Sequence, residues 1–408
     1  MKWQALRGFR DFYPEEMALR RYIEGVWHDT ARRAGFQEMD GPPLEPLELY
    51  KVKSGDAIVA ELYAFCDKGG RDVALRPEMT PTLARMAGEK AAALPRPIKW
   101  YAVPQLFRYE RQQRGRLREH IQWNVDIMGA REPAADAEIV WVAVEALRRL
   151  GLTEQDFVVR VNHRALVERK LSDLGFDGDD VPTLLVAIDK HKLDDEDIAE
   201  GDLTFLAHKK DEIAQLRGWL DEPGAPEGEL GEFFAACEDL GCVSFAQLDR
   251  RIVRGLAYYS GIVFEIWDRK GKLRAIAGGG RYDHLIQKLG GPDLPALGFG
   301  MGDVVLSELL KDRGLLPDTP PRLDAYVVPI GDEAVGPARR LVRSLRDAGL
   351  KAEAPYGPMK VGKALKTADA AGARRAFLLG KEEIEQGKVK VKDLATGDET
   401  LQDLESAV

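Results

Sequence analysis

Apolar and polar residues alternate strictly along the stretch Ile121-Gln122-Trp123-Asn124-Val125-Asp126-Ile127. Successive side chains of a β-strand point to opposite faces of its sheet, so this alternation predicts a strand with Gln122, Asn124 and Asp126 on one face. The apolar residues would cover a core on the other face. The polar face carries too much charge to be plain core, and we therefore expect it to line a binding site.

A predicted hairpin lies immediately upstream of this strand. Arg108 and Glu110 share a face of an earlier strand-like segment, and residues 111–116 between the two strands are polar and contain a glycine. This order predicts an antiparallel hairpin with a long basic loop. An isolated Arg–Glu pair is typical of a surface ion pair of little energetic value. The hairpin, however, brings Arg116 and the polar face of the strand to the same side, which favours a functional site.

A second arginine-bearing segment, Arg254-Gly255-Leu256-Ala257-Tyr258-Tyr259, lies far downstream. An arginine is always charged and offers a planar fork of donors. Arg108 and Arg254, each beside acidic or aromatic residues, therefore suit an anionic ligand such as a nucleotide phosphate. The two segments together predict a phosphate-binding site assembled from distant parts of the chain.

Glycine-rich strands follow the second arginine segment. Strand patterns at Ile262–Trp267 and Leu273–Ala277 flank a hairpin turn, and the second pattern runs into the glycine-rich run Gly278–Asp283. Another glycine-rich strand, Gly298–Gly302, precedes Asp303, which we interpret as the N-cap of an apolar helix. Glycines permit close approach of the backbone to a ligand. The chain contains neither a dinucleotide-binding glycine fingerprint nor a P-loop.

The composition limits the class of protein. With 408 residues, 45% of them hydrophobic and 31% charged, the chain is predicted to form two or three globular domains, without a transmembrane helix. A net charge of −9 disfavours nonspecific nucleic-acid binding by a globally basic surface. The net charge is compatible with local basic patches that bind nucleic acid. Neither the 3 cysteines nor the 6 histidines have the spacing of a metal site. The N-terminus has no secretory signal pattern, so we expect a cytoplasmic protein.

The order of predicted elements divides the chain into two domains. Residues 1–320 would form the first, including a mainly helical insertion at about 165–247, and a proline-rich linker would end it. Residues 322–408 alternate strands and helices, which indicates a small α/β domain with a largely parallel sheet. One helix of this domain has lysines at three-residue spacing, namely Lys360, Lys363 and Lys366. They form either a solvated face or a face that binds an RNA backbone.

Over nearly its whole length the chain resembles the histidyl-tRNA synthetases, a family of class II aminoacyl-tRNA synthetases. Residues 35–42 and 107–126 are similar to motifs one and two of that class. Further similar segments are Arg7–Pro14, Leu75–Thr80, Arg254–Glu265 and Gly279–Asp283. The C-terminal segment resembles the family's α/β anticodon-binding domain. The resemblance implies an α+β catalytic domain built on an antiparallel sheet and a homodimer joined through motif one.

The resemblance also implies a two-step reaction. Histidine and ATP would form histidyl-adenylate, which would then esterify the 3′ end of histidine tRNA, with Mg²⁺ balancing phosphate charge and no cage of protein ligands. Arg108 and Arg254 would be the catalytic residues at the α-phosphate, and Glu110 and Arg116 would also contact ATP. The residues implied for histidine are Glu78, Thr80, Gln122, Asp126, Tyr258, Tyr259 and Tyr282. The residues implied for tRNA are Gln113, Arg114, Lys360, Lys363 and Lys366.

Two positions depart from the family pattern. Ala257 stands where the family usually has aspartate, and Val305 stands where motif three usually has an arginine that touches ATP. Arg281 is one candidate to replace that arginine. Two other functions fit part of the pattern: the synthetase-like regulatory subunit of ATP phosphoribosyltransferase, and a paralogue that adenylates an amino acid without serving a tRNA. Arg254 and the C-terminal domain weigh against the first, and the basic helix and the hairpin loop weigh against the second.

Overall fold

A computed structural model gives the fold of the chain. It describes residues 3–54, 56–109, 115–178, 180–190, 192–193, 203–254, 258–271, 273–317 and 322–404. Four positions singled out from the sequence therefore lie outside the described residues, namely Glu110, Gln113, Arg114 and Ala257. The chain forms two compact units, Met1–Leu316 and Pro317–Val408. Within the described residues, no helix combines the length and the apolar character that a membrane crossing requires.

The first unit is built on a large, mainly antiparallel sheet. The strands of this unit are β1 (Gln37–Glu38), β2 (Leu44–Pro46), β3 (Ala64–Cys66), β4 (Asp72–Leu75), β5 (Ile98–Ala102), β6 (Gln105–Phe107), β7 (Glu119–Met128), β8 (Phe157–His163), β9 (Ala246–Leu248), β10 (Ile262–Asp268), β11 (Ala277–Arg281) and β12 (Ala296–Gly302). The large sheet has the order β1-β5-β7-β12-β11-β10-β8-β9, and β6 pairs with β7 beside it. Only the two edge pairs, β1 with β5 and β8 with β9, are parallel among the described pairs of this sheet. Strands β2, β4 and β3 form a small separate sheet.

Strand β7 contains the alternating stretch and divides its side chains between two environments. The odd-numbered side chains between residues 121 and 127 are at most 1% exposed and lie in the main core. Trp123 stacks on Trp27 of the first helix, with ring centroids 5.9 Å apart. Complete burial of a large apolar side chain contributes roughly 1.5–3 kcal/mol to stability. A shift of the strand pairing by one residue would expose all four of these side chains. The hydrophobic effect therefore sets the register that keeps the polar side chains on the other face.

Helices cover the core face of the large sheet. The helices of this unit are Pro14–Arg33, Leu47–Ser54, Thr80–Lys90, Pro133–Arg149, Arg164–Asp173, Asp180–Asp189, Lys210–Asp221, Glu229–Asp239, Leu285–Lys288 and Asp303–Arg313. Pro14 and Pro133 open their helices at positions where a missing backbone N–H costs nothing. Gly35 and Gly151 follow the same two helices with φ of 80° and 89°, which glycine adopts without a steric penalty. These local signals end both helices where they can pack on β7.

The prediction of a strand at Leu273–Ala277 is wrong in position. Strand β11 begins only at Ala277 and runs through the glycine triplet to Arg281. It pairs with β10 on one side and with β12 on the other. Glycine weakens an isolated strand, but here pairing on both sides satisfies the backbone groups and outweighs that preference. The glycines therefore lie within the sheet rather than after it.

The predicted N-cap role of Asp303 is also wrong. Gly302 occupies the N-cap position, and Asp303 is the first residue of the helix. The buried Asp303 carboxylate accepts the backbone N–H of Ile121 at 2.9 Å and a guanidinium N–H of Arg10 at 2.8 Å. Arg10 also donates to Glu119 at 2.7 Å. Asp303 thus connects the N-terminal segment to β7. A buried carboxylate without a charged partner costs more free energy than a helix without a side-chain cap, so the ion pair with Arg10 decides the position of Asp303.

The insertion has a small core of its own. Its buried residues include Val167, Leu171, Leu184, Ile188, Leu206, Ile213 and Leu216. The helix Glu229–Asp239, which the sequence places in the same insertion, instead packs into the main core through Leu230 and Phe233. The part of the insertion with an independent core therefore ends near Leu220.

The second unit contains a five-stranded sheet of mixed direction. Its strands are β13 (Leu323–Pro329), β14 (Ala352–Glu353), β15 (Ala373–Leu379), β16 (Lys388–Asp393) and β17 (Glu399–Asp403), and its helices are Val335–Asp347, Val361–Ala370 and Lys381–Glu385. The order is β14-β13-β15-β16-β17. Pairs within β14-β13-β15 are parallel, whereas β15-β16-β17 are antiparallel. The expectation of a largely parallel sheet is therefore wrong, because alternation in β16 buries Val389 and Val391 and adds an antiparallel hairpin.

Candidate active site

One cavity of about 1050 Å³ opens on the polar face of strands β7, β12 and β11. Pockets that hold one small ligand usually measure roughly 300–1,000 Å³, so this cavity has room for two adjacent substrates. Its walls include every residue expected to bind histidine or ATP that the structure describes. These residues are Glu78, Thr80, Arg108, Arg116, Gln122, Asp126, Arg254, Tyr258, Tyr259 and Tyr282. The fold thus brings distant segments of the chain to one place.

Asp126 lies in this cavity beside a group of tyrosines. Tyr282 donates its hydroxyl hydrogen to Asp126 Oδ1 at 2.5 Å. The rings of Tyr258 and Tyr259 lie 4.5 Å apart, and Tyr282 meets Tyr258 edge-on at 6.0 Å. Burial raises the pKa of both Tyr258 and Tyr282 well above its ordinary value, so both remain neutral hydroxyl groups. A buried carboxylate among neutral aromatic side chains suits a small ligand with N–H donors.

Glycines on the neighbouring strands make space for the polar side chains. A Cβ added at Gly298 would lie 2.6 Å from Asp126 Cγ, and one added at Gly278 would lie 2.8 Å from Arg254 Cζ. Carbon atoms in contact normally stay about 3.5–4.0 Å apart. Any larger residue at these two positions would therefore displace Asp126 or Arg254.

Arg254 has an uncommon backbone conformation. Its φ is 52°, the one positive value among the described residues other than glycine. A left-handed conformation of this kind is uncommon for a residue with a Cβ and persists where surrounding contacts hold it. The guanidinium forms an ion pair with Glu265, which also accepts Trp267 Nε1–H at 2.9 Å. Arg254 Cζ lies 5.8 Å from the ring centroid of Tyr259.

These contacts fix the charge of Arg254. Burial by itself lowers the pKa of Arg254, but the nearby Tyr259 and Glu265 outweigh burial and raise the pKa above its ordinary value. Arg254 Nε is buried and donates to no described residue. Arg254 therefore presents a permanent, oriented cation at the cavity, as an anionic ligand requires.

Arg108 is positioned by contacts with the loop that carries Glu78. Its Nε donates to the carbonyl oxygen of Pro77 at 3.0 Å, and its backbone N–H donates to Arg118 at 2.9 Å across the hairpin. The predicted pairing of the two hairpin strands is thus confirmed at β6 and β7. The hydrogen bond from Arg108 to Pro77 therefore connects the hairpin to the loop next to Glu78.

Several cavity residues escaped the sequence reasoning. His120 lies on the polar face of β7 two positions before Gln122, so the same alternation could have identified it. Burial, followed by the charges of Arg108 and Arg10, lowers the pKa of His120 to about 3 and keeps its ring neutral. Other wall residues that the sequence did not single out include Glu61, Val186, Asp189, Lys190, Trp267 and Arg274. Three of these, Val186 to Lys190, come from the insertion, which therefore forms part of the cavity wall.

Arg281 does not lie in this cavity, so its proposed role as a substitute for the motif-three arginine is wrong. Its buried guanidinium forms an ion pair with Asp136 and donates to the carbonyl oxygen of Ala130 at 2.9 Å. Alternation along β11 explains the difference, because Arg281 points to the face opposite that of Tyr282. Val305, the residue in the arginine's position, does line the cavity and brings no charge.

The remaining predicted residues lie in the second unit. Lys360 immediately precedes the helix Val361–Ala370, and Lys363 and Lys366 lie within it. All three side chains are exposed. Within the described part of the chain, no group of three or more His, Cys, Asp or Glu side chains is placed to hold a metal ion.

The antiparallel sheet, the arginine-bearing hairpin and the glycine strands together define the catalytic domain of a class II aminoacyl-tRNA synthetase. Residues 8–303 match the family model for histidyl-tRNA synthetase, and residues 324–408 match the model for an anticodon-binding domain. The chain belongs to the histidyl-tRNA synthetase family.

Individual proteins agree with this assignment. A histidine–tRNA ligase of Opitutus terrae is 45% identical, with 98% of this chain and 95% of that protein covered. The chloroplastic/mitochondrial histidine–tRNA ligase of Arabidopsis thaliana is 40% identical, with 98% and 85% covered. The crystal structure of apo histidyl-tRNA synthetase from S. aureus superposes with a TM-score of 0.75 at 26% identity, covering 99% of this chain and 98% of that one. Similarity to ligases over both units overturns the alternative of an ATP phosphoribosyltransferase regulatory subunit.

Proposed function

We propose that the chain activates L-histidine with ATP and transfers the histidyl group to the 3′ end of histidine tRNA. The observation that carries this proposal is the arrangement of one cavity. It joins an acceptor for imidazole, Asp126 with Tyr282, to the two anchored arginines Arg108 and Arg254.

Histidine binding follows from the acceptors of the pocket. Glu78 and Thr80 supply oxygen atoms for the α-ammonium group, and Asp126 accepts an N–H of the imidazole ring. The hydroxyl of Tyr282 donates to Asp126, which keeps the carboxylate oriented as an acceptor. Gln122, Tyr258 and Tyr259 would complete the walls around the ring. An isostere without the ring N–H would cost Asp126 the hydrogen bond from the ligand while its carboxylate stays buried, which is a strong basis for rejection.

Adenylate formation places negative charge between the two arginines. An oxygen of the histidine carboxylate forms a bond to the α-phosphorus of ATP, while the bond from that phosphorus to the bridging oxygen breaks and pyrophosphate leaves with the electron pair. The charge on the α-phosphate oxygens is stabilised by Arg108 and Arg254, which are already oriented before ATP binds. Glu110 and Arg116 belong to the same proposed ATP site.

Mg²⁺ fits this site as a companion of ATP rather than as a resident ion. The described residues form no three-ligand cage, and Mg²⁺ commonly binds through substrate phosphates and one or two carboxylates. Glu61 is a carboxylate in the cavity wall that could complete its coordination. When bound, Mg²⁺ would neutralise charge on the phosphates that leave.

Transfer to tRNA would follow in the same cavity. A hydroxyl oxygen of the terminal adenosine forms a bond to the carbonyl carbon of the adenylate, while the bond from that carbon to the phosphate oxygen breaks. AMP leaves with the electron pair, and the hydroxyl proton passes to water. Gln113 and Arg114 of the hairpin loop are proposed to contact the acceptor end of the tRNA. The exposed lysines Lys360, Lys363 and Lys366 are proposed to contact its backbone elsewhere.

The test has two stages. Histidine-dependent exchange of labelled pyrophosphate into ATP is expected first, followed by charging of histidine tRNA. Absence of exchange would contradict the proposal, whereas exchange without charging would favour the adenylating paralogue that serves no tRNA. A homodimer through residues 35–42 and a cytoplasmic location belong to the same proposal. Light scattering of the purified chain and cell fractionation would test them separately.

A further inference from the structure

Arg274 is a cavity residue for which neither the sequence nor the family pattern suggests a role. It lies between β10 and β11, and its side chain is exposed in the wall of the cavity. In the part of the chain that the structure describes, its guanidinium forms no hydrogen bond and no ion pair. An arginine held at a cavity wall without a counter-charge is a donor available to a ligand.

Two other arginines lie near Arg274 in the cavity wall. Burial lowers the pKa of Arg116, and the charges of Arg274 and Arg108 lower it further, which places these charges close to one another. All three arginines line the same cavity. Like charges repel, so this group of arginines favours an anion with several charges, although carboxylates such as Glu61 line the same cavity.

Another position in the cavity wall lacks the charge that the family pattern has there. Val305 brings an apolar side chain to the cavity, and a Cβ added at Gly115 would lie 3.4 Å from Val305 Cγ2, which places Val305 at the base of the hairpin loop next to Arg116. The nearby Asp303 points away, because it pairs with Arg10 outside the cavity. The residues of this helix that line the cavity, Val304 and Val305, therefore supply no cation, whereas Arg274, between β10 and β11, supplies one.

We propose that Arg274 binds the β- and γ-phosphates of ATP and takes over the charge that Val305 lacks. The proposal rests on the proposed ATP-dependent function and names a residue for it. Arg254 is packed against Gly278 in the sheet, whereas Arg274 lies four residues before Gly278 along the chain and is exposed. The α-phosphate would lie at Arg254 and the terminal phosphates at Arg116 and Arg274. Arg274 would thus orient pyrophosphate as the leaving group.

Binding measurements with two nucleotides separate this role from others. In Arg274→Ala, calorimetry should show a loss of ATP affinity on the order of 10- to 100-fold, as expected when one charged hydrogen-bond donor is removed. The affinity for AMP, which has no β- or γ-phosphate, should stay within about twofold. Arg274→Lys should recover part of the loss, because it keeps the charge without the planar fork.

Lys270→Ala is the matched control, since Lys270 is an exposed cation in the same hairpin and does not line the cavity. Its nucleotide affinities should not change. Val305→Arg added to Arg274→Ala should restore ATP affinity if the two positions serve the same phosphates. These binding results do not require turnover, so they remain informative even if the wild-type chain fails to exchange pyrophosphate.

Three results would overturn the inference. An unchanged ATP affinity in Arg274→Ala would show that the arginine serves no phosphate. Equal losses for ATP and AMP would place it at the adenosine or the α-phosphate. Unchanged ATP affinity combined with a raised KM for tRNA in the charging reaction would assign Arg274 to the nucleic acid.

Discussion

Substitution of Gly298 by alanine tests the proposed histidine pocket directly. The added methyl carbon would lie 2.6 Å from Asp126 Cγ and also 2.6 Å from the carbonyl oxygen of Val125. A comfortable carbon–carbon contact is about 3.5 Å, so the Asp126 carboxyl group has to move by roughly 1 Å. The hydrogen bond from Tyr282 at 2.5 Å cannot survive such a movement unchanged. A misplacement of about 1 Å typically costs about 100-fold in catalytic efficiency.

The expected result for Gly298→Ala is a fall of about 100-fold in kcat/KM for histidine, carried mainly by KM. Pyrophosphate exchange at varied histidine and at varied ATP gives both values. The KM for ATP should change little, because Arg254 is not displaced. Gly25→Ala is the control, since an added Cβ at Gly25 meets nothing within 4 Å and should slightly favour its helix. A histidine KM within twofold of wild type, or equal increases for both substrates, would refute the role given to Asp126.

Three further predictions concern charged groups. Arg254→Ala should lower kcat for adenylate formation by about 100- to 1,000-fold while the histidine KM stays within about threefold, and equal losses would contradict its transition-state role. His120 has a pKa of about 3 when folded and an ordinary value of 6.5. The unfolded chain then binds the extra proton between these values, so the free energy of unfolding should fall by up to about 1.4 kcal/mol per unit as the pH drops from 6.5 toward 3. His120→Asn should flatten that slope in urea titrations, and an identical slope would exclude His120. Arg281→Met should destabilise the fold by about 3–5 kcal/mol, because Asp136 is left buried without its partner, yet leave ATP affinity of the folded protein unchanged.

Much of the fold follows from local patterns that the sequence displays openly. The alternation at residues 121–127 identified β7 and its two faces, because strand parity depends only on neighbouring residues. The glycine-rich pattern at Gly298–Gly302 predicted a strand correctly. The sequence did not predict that the glycine triplet beginning at Gly278 also lies within a strand. That triplet becomes a strand because two neighbours pair with it, which no local preference of glycine would suggest.

The candidate site shows the same division. Arg108, Asp126 and Arg254 were accessible to sequence reasoning, because charged residues on a predicted binding face and a matching family motif both marked them. His120 was accessible from the same alternation but lacked any metal-like or catalytic spacing. Arg274 had no signal, since a lone arginine near a hairpin turn is usually a solvated side chain.

The sequence by itself determined which side chains of β7 face the cavity, where the two arginine segments lie along the chain, and which family pattern they follow. Only the tertiary structure decided which charges meet there. It turned Arg281 and Asp303 into structural partners of Asp136 and Arg10, and it placed Arg274 in the cavity wall. The physical reason is that burial and Coulomb energy depend on neighbours distant in sequence, and the order of residues along a strand does not reveal those neighbours.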